Sequence, residues 1–459
     1  MKLVFPSGIV SIATLVLLAA CNTNPVGADP ATKASASERP ASNTSQDEGD
    51  AGSQVELDDD LAPLVDALTS KHLVVRLEAI KALSETKLEP NTPTAAKIVQ
   101  ILLDHRRIEF NDYEDRFVEA ALRKLGPVVI AEIQRQALSS DISEVSNACE
   151  AMRSLGAEAY SDFRPFLIKM LASSVNEQQW GALYALEKTG AAGQDLLPNI
   201  QPFLTSEDFQ LQIIALRALA AIGPPAWVHE AIVRDLTSNG QNVSVKSHAL
   251  RALGYMAAGD PEHAVAAAKV LGGNLNEFAF MTKSRALEGL IQLEAHAAAT
   301  SERIKELLRD DTGLAPQASV VHASITGEWD ATIKLLVSRL RDPIEGMECL
   351  SLLRKLGPKS AAAEPEILKL TSDEDEVVAL MAVETLAAMV NLNSPTDFQQ
   401  ATPPQRELLD RIANHLEKFS QQGEADSHHR AGVLVSQWRE HGWQPTSSAP
   451  KKTEPVAGE

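Results

Sequence analysis

Cysteine, histidine and the carboxylates are the residues with which a chain ligates metal or attacks a bond, and here none of them falls into a working set. The three cysteines, Cys21, Cys149 and Cys349, lie far apart, one near the N-terminus and two in separate apolar runs. They offer neither a zinc-ligand spacing nor a disulfide framework, so Cys149 and Cys349 are expected to be small buried thiols. His428-His429 lacks the further ligand cluster that a metal needs and is expected at the exposed end of the chain. The run Asp373-Glu374-Asp375-Glu376 has neither the alternating ligands nor the central glycine of a calcium loop. It reads as a helix cap and a solubilising turn. No Gly-rich phosphate loop and no Ser-His-Asp order is present. The sequence therefore points away from an enzyme, and no cofactor or metal is expected.

The elements that would position any remaining site are set by a repeat. Between Leu57 and about Val390 the pattern Ala-x-x-Ala-Leu-x-x-Leu-Gly recurs, often with Pro next, as in Val118–Pro127 and Ala215–Pro224. Its leucine falls at Leu83, Leu122, Met152, Leu186, Leu219, Leu253, Leu290, His322, Leu353 and Leu386, at intervals of 30 to 39 residues. A fixed period of that length marks a solenoid. Apolar residues three and four apart make each copy an amphipathic helix. Alanines let its neighbours approach, and Gly then Pro stops it. A preceding helix is visible in most units, for example Ile98–Leu103, Phe163–Leu171, Ile200–Leu204 and Ile333–Leu340. His322 occupies one of the leucine positions and is expected to be a satisfied buried histidine. Residues 391–404, with Pro395, Pro403 and Pro404, are expected to be a loop insertion, and 405–444 a pair of capping helices.

This pattern resembles the short HEAT repeat, of the kind also found in phycobilisome-lyase-like proteins. The resemblance implies an all-α fold over residues 55–390, a right-handed α-solenoid of about ten helical pairs whose second helices line a concave binding face. HEAT-like enzymes of the deoxyhypusine hydroxylase type hold two irons with several His-Glu pairs. This sequence has one such dipeptide, His229-Glu230, so that activity is not implied. On the second helices, the residue before the second Ala of the pattern forms a column: Lys81, Ala120, Glu150, Tyr184, Arg217, Arg251, Glu288, Val320, Ser351 and Glu384. It is mostly polar while its preceding neighbour is mostly apolar, so it should face water. Trp180 lies four residues before Tyr184, and Tyr255 four after Arg251, which places each pair on one helix face. Aromatics and Arg dominate interface hot spots. Trp180, Tyr184, Arg217, Arg251 and Tyr255 are therefore the candidate partner-binding patch. The competing reading is that the aromatics fill gaps between units and the arginines are solvated charges.

Residues 1–20 carry Lys2 and then an apolar stretch too brief for a stable span, ending Leu18-Ala19-Ala20-Cys21. This resembles the bacterial lipoprotein signal, in which the Cys becomes the acylated N-terminus; the resemblance implies a lipid anchor at Cys21, in the periplasm or at the outer membrane. Residues 22–54 are polar and small, and are expected to be a disordered tether, as are 445–459 at the other end. The net charge of −20 and the scattered basic residues argue against nucleic acid. Aromatics at 4% are thin for one jigsaw core and suit stacked helices instead. The expected protein is a monomeric, lipid-anchored adaptor for a protein or peptide. The alternatives are an accessory lyase or cofactor chaperone, which would need a reactive residue or tetrapyrrole pocket, and a structural spacer of the envelope.

Overall fold

The structure is a computed structural model that describes residues 61–444, apart from 71, 109–111, 239–241, 310–312, 393 and 424. The expected signal peptide, Cys21, the tether and the tail 445–459 lie outside the described residues. Every regular element among the described residues is helical. Ten successive pairs run through the repeat region. They are α1 (Ala62–Ala67) and α2 (Leu73–Glu85), α3 (Pro93–Ile108) and α4 (Asp112–Lys124), α5 (Gly126–Gln136) and α6 (Ile142–Leu155), α7 (Tyr160–Leu171) and α8 (Asn176–Thr189), and α9 (Leu197–Leu204) and α10 (Phe209–Ile222). Then follow α11 (Glu230–Leu236) and α12 (Val243–Ala257), α13 (Pro261–Asn274) and α14 (Phe280–Ile291), α15 (Ser301–Leu307) and α16 (Ala315–Thr326), α17 (Trp329–Ser338) and α18 (Gly346–Leu356), and α19 (Glu364–Leu370) and α20 (Glu376–Val390). The even-numbered helices pack on one another in sequence order and form one layer; the odd-numbered helices cover its other side. The repeat region is thus an all-α solenoid of HEAT-like helical pairs.

Local chemistry explains the boundaries. Several even helices begin at a side-chain cap: Asp141 accepts from the Ser143 amide at 2.7 Å, Asp208 from Gln210 at 2.8 Å, and Asn242 from Ser244 at 2.9 Å. Four even helices, α6, α8, α10 and α18, end where the repeat's glycine takes positive φ, at Gly156, Gly190, Gly223 and Gly357. In the copy that ends at Glu294, the glutamate itself takes that conformation, φ +49°, where a side chain is strained. The repeat leucines are buried throughout, at 0–1% exposure from Leu83 to Leu386, with one exception.

That exception corrects the reading of His322, which is half-exposed; Val321 is fully buried in its place. The first seven residues of α16, Ala315 to Val321, are all buried. An imidazole there would lose its water contacts with no partner supplied, so the register that buries the valine is the cheaper one. The same register buries Val320, so that member of the expected polar column does not face solvent. A second correction concerns residues 391–404, which hold a helix, α21 (Pro395–Gln400). Ser394 accepts from the Asp397 amide at 3.2 Å while Asp397 accepts from the Ser394 amide at 2.9 Å, a capping box that a count of prolines overlooks. Beyond it, α22 (Pro403–Ser420) and α23 (Asp426–Glu440) pack together, burying Leu416, Phe419 and Trp438.

Small residues set the spacing of the even layer. A methyl group on Gly254 of α12 would stand 2.3 Å from the Gly289 backbone of α14, and one on Gly181 of α8 would stand 2.2 Å from the Cys149 sulfur of α6. Gly254→Ala should therefore destabilise the fold by about 1–3 kcal/mol in urea denaturation, because backbone must move to admit the methyl. Glu294→Gly should stabilise it by about 1 kcal/mol through relief of the left-handed strain.

Candidate partner-binding face

The patch named from sequence is divided by the structure into two groups on the solvent side of the even layer. In the first, Trp180 and Tyr184 of α8 stack with ring centroids 4.9 Å apart. Trp180 is exposed, and Tyr184 is half-buried against the core. The Arg153 guanidinium of α6 lies 4.6 Å from the Tyr184 ring centroid and 3.6 Å from Glu150, which continues the row on that helix. The aromatic pair overhangs a groove of about 380 Å³ between α6, α8 and α10, whose lining includes Ile142, Val145, Cys149, Gly181 and Leu211. Gly181 forms part of its floor, in close contact with Cys149. Cys149 is buried and its thiol is pushed up to about 12 by desolvation and by Glu150, so it meets the groove as an apolar group rather than a nucleophile.

The second group is an ion-pair ladder across α10, α12 and α14. Arg217 donates to Glu187 of α8 at 2.6 Å. Arg251 lies 3.3 Å from Glu288 and 5.1 Å over the Tyr255 ring, and Arg285 donates to both oxygens of Glu288 at 2.7 and 2.8 Å. So the arginines are neither free nor uniformly solvated, and Tyr255 is half-buried against the core. Sequence reasoning missed Arg153, Glu187 and Arg285, which lie outside the chosen column by one turn. The i+3 step from Glu150 to Arg153, from Tyr184 to Glu187 and back from Glu288 to Arg285 was the available signal.

His248 of α12 was also missed. Its Nδ1 is buried and without a hydrogen-bond partner. Desolvation first, and then the charges of Arg285, Arg217 and Arg251, push its pKa down to about 3. Among the described residues no group of three or more His, Cys, Asp and Glu gathers as a metal site, and no helix is long and apolar enough to cross a membrane.

No protein-family model matches the sequence, and no curated protein is detectably similar to it. Solved structures align over 83% of the chain at low similarity. An engineered protein matches with a TM-score of 0.35 and 20% identity, over 99% of its own length. Kap121p bound to Pho4p matches at 0.35 and 12%, and Kap95p with RanGDP at 0.38 and 9%. The chain spans 46% and 57% of those two proteins, about half their length. The chain's own helical pairs and repeat make it an all-α helical-repeat solenoid.

The depressed His248 predicts a pH response of definite sign. Between about pH 3 and 6.5 the unfolded chain holds a proton that the folded chain refuses, so stability falls as pH drops through that window. The His248→Gln protein should lack this component, flattening the stability-against-pH curve by up to about 1.4 kcal/mol per pH unit relative to the parent in paired urea titrations.

Proposed function

We propose that this protein is a lipid-anchored scaffold of the bacterial envelope that binds a protein or peptide partner on the even-helix face, as a monomer and without a cofactor. The observation that carries the reading is the exposed Trp180 stacked on Tyr184 above an open, partly apolar groove. A large aromatic held rigid by a neighbour and left in water loses little entropy on binding and gains burial, which is how interface anchors work. A core-filling tryptophan would be covered, and this one is 40% exposed. Anchoring rests on Leu18-Ala19-Ala20-Cys21 after an apolar stretch, and it would hold the solenoid at the membrane surface on a tether of some thirty residues. Catalysis is not part of the proposal; the groove's one cysteine, Cys149, is buried with its pKa pushed up to about 12.

Affinity capture from native envelopes with the full chain as bait tests the binding face. A partner that the parent captures should be lost, or weakened at least about tenfold, in the Trp180→Ala/Tyr184→Ala protein, since each such anchor is worth ~2 kcal/mol. Equal capture by both proteins would place the interface elsewhere. The anchor is tested separately by metabolic labelling with a fatty acid: Cys21→Ser should abolish incorporation and move the protein from the membrane to the soluble fraction.

A further inference from the structure

The groove under Trp180 has a charge of its own, beyond the aromatic pair that overhangs it. Its charged lining residues are Glu150, Glu177 and Asp208, and no Lys or Arg joins them. Glu150 is answered by the Arg153 guanidinium at 3.6 Å. Asp208 accepts from the Gln210 and Leu211 amides at 2.8 and 3.5 Å as the cap of α10. Those amides carry no net charge, so the cap satisfies the carboxylate's hydrogen bonds while the helix N-terminus offsets only part of its charge. Glu177, in the first turn of α8 and one turn before Trp180, is exposed. Among the described residues no Lys, Arg or His pairs with Glu177 or Asp208. The groove therefore keeps two carboxylates without a counter-cation.

The rings carry the same preference. The face of a Tyr or Trp ring is electron-rich and attracts cations, Trp most strongly. That attraction is already used at Tyr184, where the Arg153 guanidinium stands 4.6 Å from the ring centroid. Trp180 stacks on Tyr184 at 4.9 Å with 23° between the ring planes. It is exposed, and among the described residues no cation lies over it. Ile142, Val145 and Leu211 add apolar surface to the same lining. At about 380 Å³ the groove is near the small end of ligand pockets, about 300–1,000 Å³, and suits the side chains of a short inserted segment.

We infer that the groove takes an arginine side chain from a basic segment of the partner. Its guanidinium meets the Trp180 ring and the carboxylates of Glu177 and Asp208, and apolar neighbours in the segment meet Ile142, Val145 and Leu211. The inference rests on the scaffold reading above and supplies the chemistry of the partner. Charge complementarity selects this occupant. An acidic segment would meet Glu177 and Asp208 with like charge, and a wholly apolar one would cover them without a partner. Arginine suits the site because its planar guanidinium stacks on an aromatic face while its edge donates to carboxylates. Arg153, over Tyr184 and beside Glu150, makes both contacts within the fold itself.

Fluorescence anisotropy with the full chain and three labelled peptides, alternating leucine with arginine, with its neutral isostere citrulline or with glutamate, decides the matter. The arginine peptide should bind at least about tenfold more tightly than either other, with affinity falling as salt is added. The Glu177→Gln/Asp208→Asn protein, in which asparagine still caps α10, should lose about tenfold, and Trp180→Leu about fivefold. If the double variant does not fold, Glu177→Gln alone, at an exposed position, should still weaken the arginine peptide about threefold. The Asp373→Asn/Glu374→Gln protein removes two carboxylates outside the groove and should bind as the parent does. Equal binding of the peptides, binding of none, or an equal loss in that control, which would mark general attraction to a chain of net charge −20, overturns the inference. Envelope capture that needs Trp180 but survives Glu177→Gln/Asp208→Asn leaves the scaffold reading standing without it. Arginine-selective binding in the groove with no Trp180-dependent capture from envelopes does the reverse.

Discussion

Everything else in this protein depends on how closely the even helices approach one another. Each pair buries only part of its own apolar surface, and a single pair would be too small to fold. The remaining burial comes from the next even helix, and it is large only if the backbones can come near. Alanine at the repeat positions permits this along the array. At two crossings even a methyl group is too large, where Gly254 meets Gly289 and where Gly181 lies over Cys149. The cost of such glycines within helices, about 1 kcal/mol each against alanine, is offset by the packing they allow.

That close approach also makes the candidate face. Helices this near to one another bring side chains three residues off the column into reach of the next helix, which is how Arg153 comes over Tyr184 and how Arg217 finds Glu187. The groove beneath Trp180 lies between α6, α8 and α10, with Gly181 and Cys149 in its lining. Packing and the chemistry of the outer face are thus one constraint seen from two sides of the same layer: small residues inward, and outward aromatics and charges carried at the spacing of the helices. His248 sits among three arginines for the same reason, held neutral by desolvation and by their charge.

The array is not uniform. The buried apolar residues form one cluster from Leu61 to Val321 and a second from Val320 to Trp443, and the two meet on α16. There the buried surface includes Gln317, Ser319 and Thr332, with the Thr332 hydroxyl donating to the Ser319 carbonyl at 2.8 Å. The unit whose leucine position holds His322 is thus the unit where the core changes character, and the departure from the repeat in sequence coincides with a departure in packing.

The sequence by itself determined the periodic part of this protein. Repeat length, helix ends at glycine, caps at Asp and Asn, and the buried leucine row all follow from local rules that one helix obeys alone, and they were legible for that reason. The repeat also placed Tyr184, Arg217 and Arg251 at one register position of successive even helices, with Trp180 and Tyr255 one turn away on theirs. The tertiary structure decided what depends on a neighbouring helix: that Trp180 and Tyr184 overhang a groove, that Arg217 and Arg251 are engaged by Glu187 and Glu288, that Val321 rather than His322 enters the core, and that Arg153, Arg285 and His248 belong to the face. A one-residue turn of a helix or a three-residue offset changes which side chain meets the next helix. That choice is made by burial summed over the whole interface, so it could not be read from a single repeat.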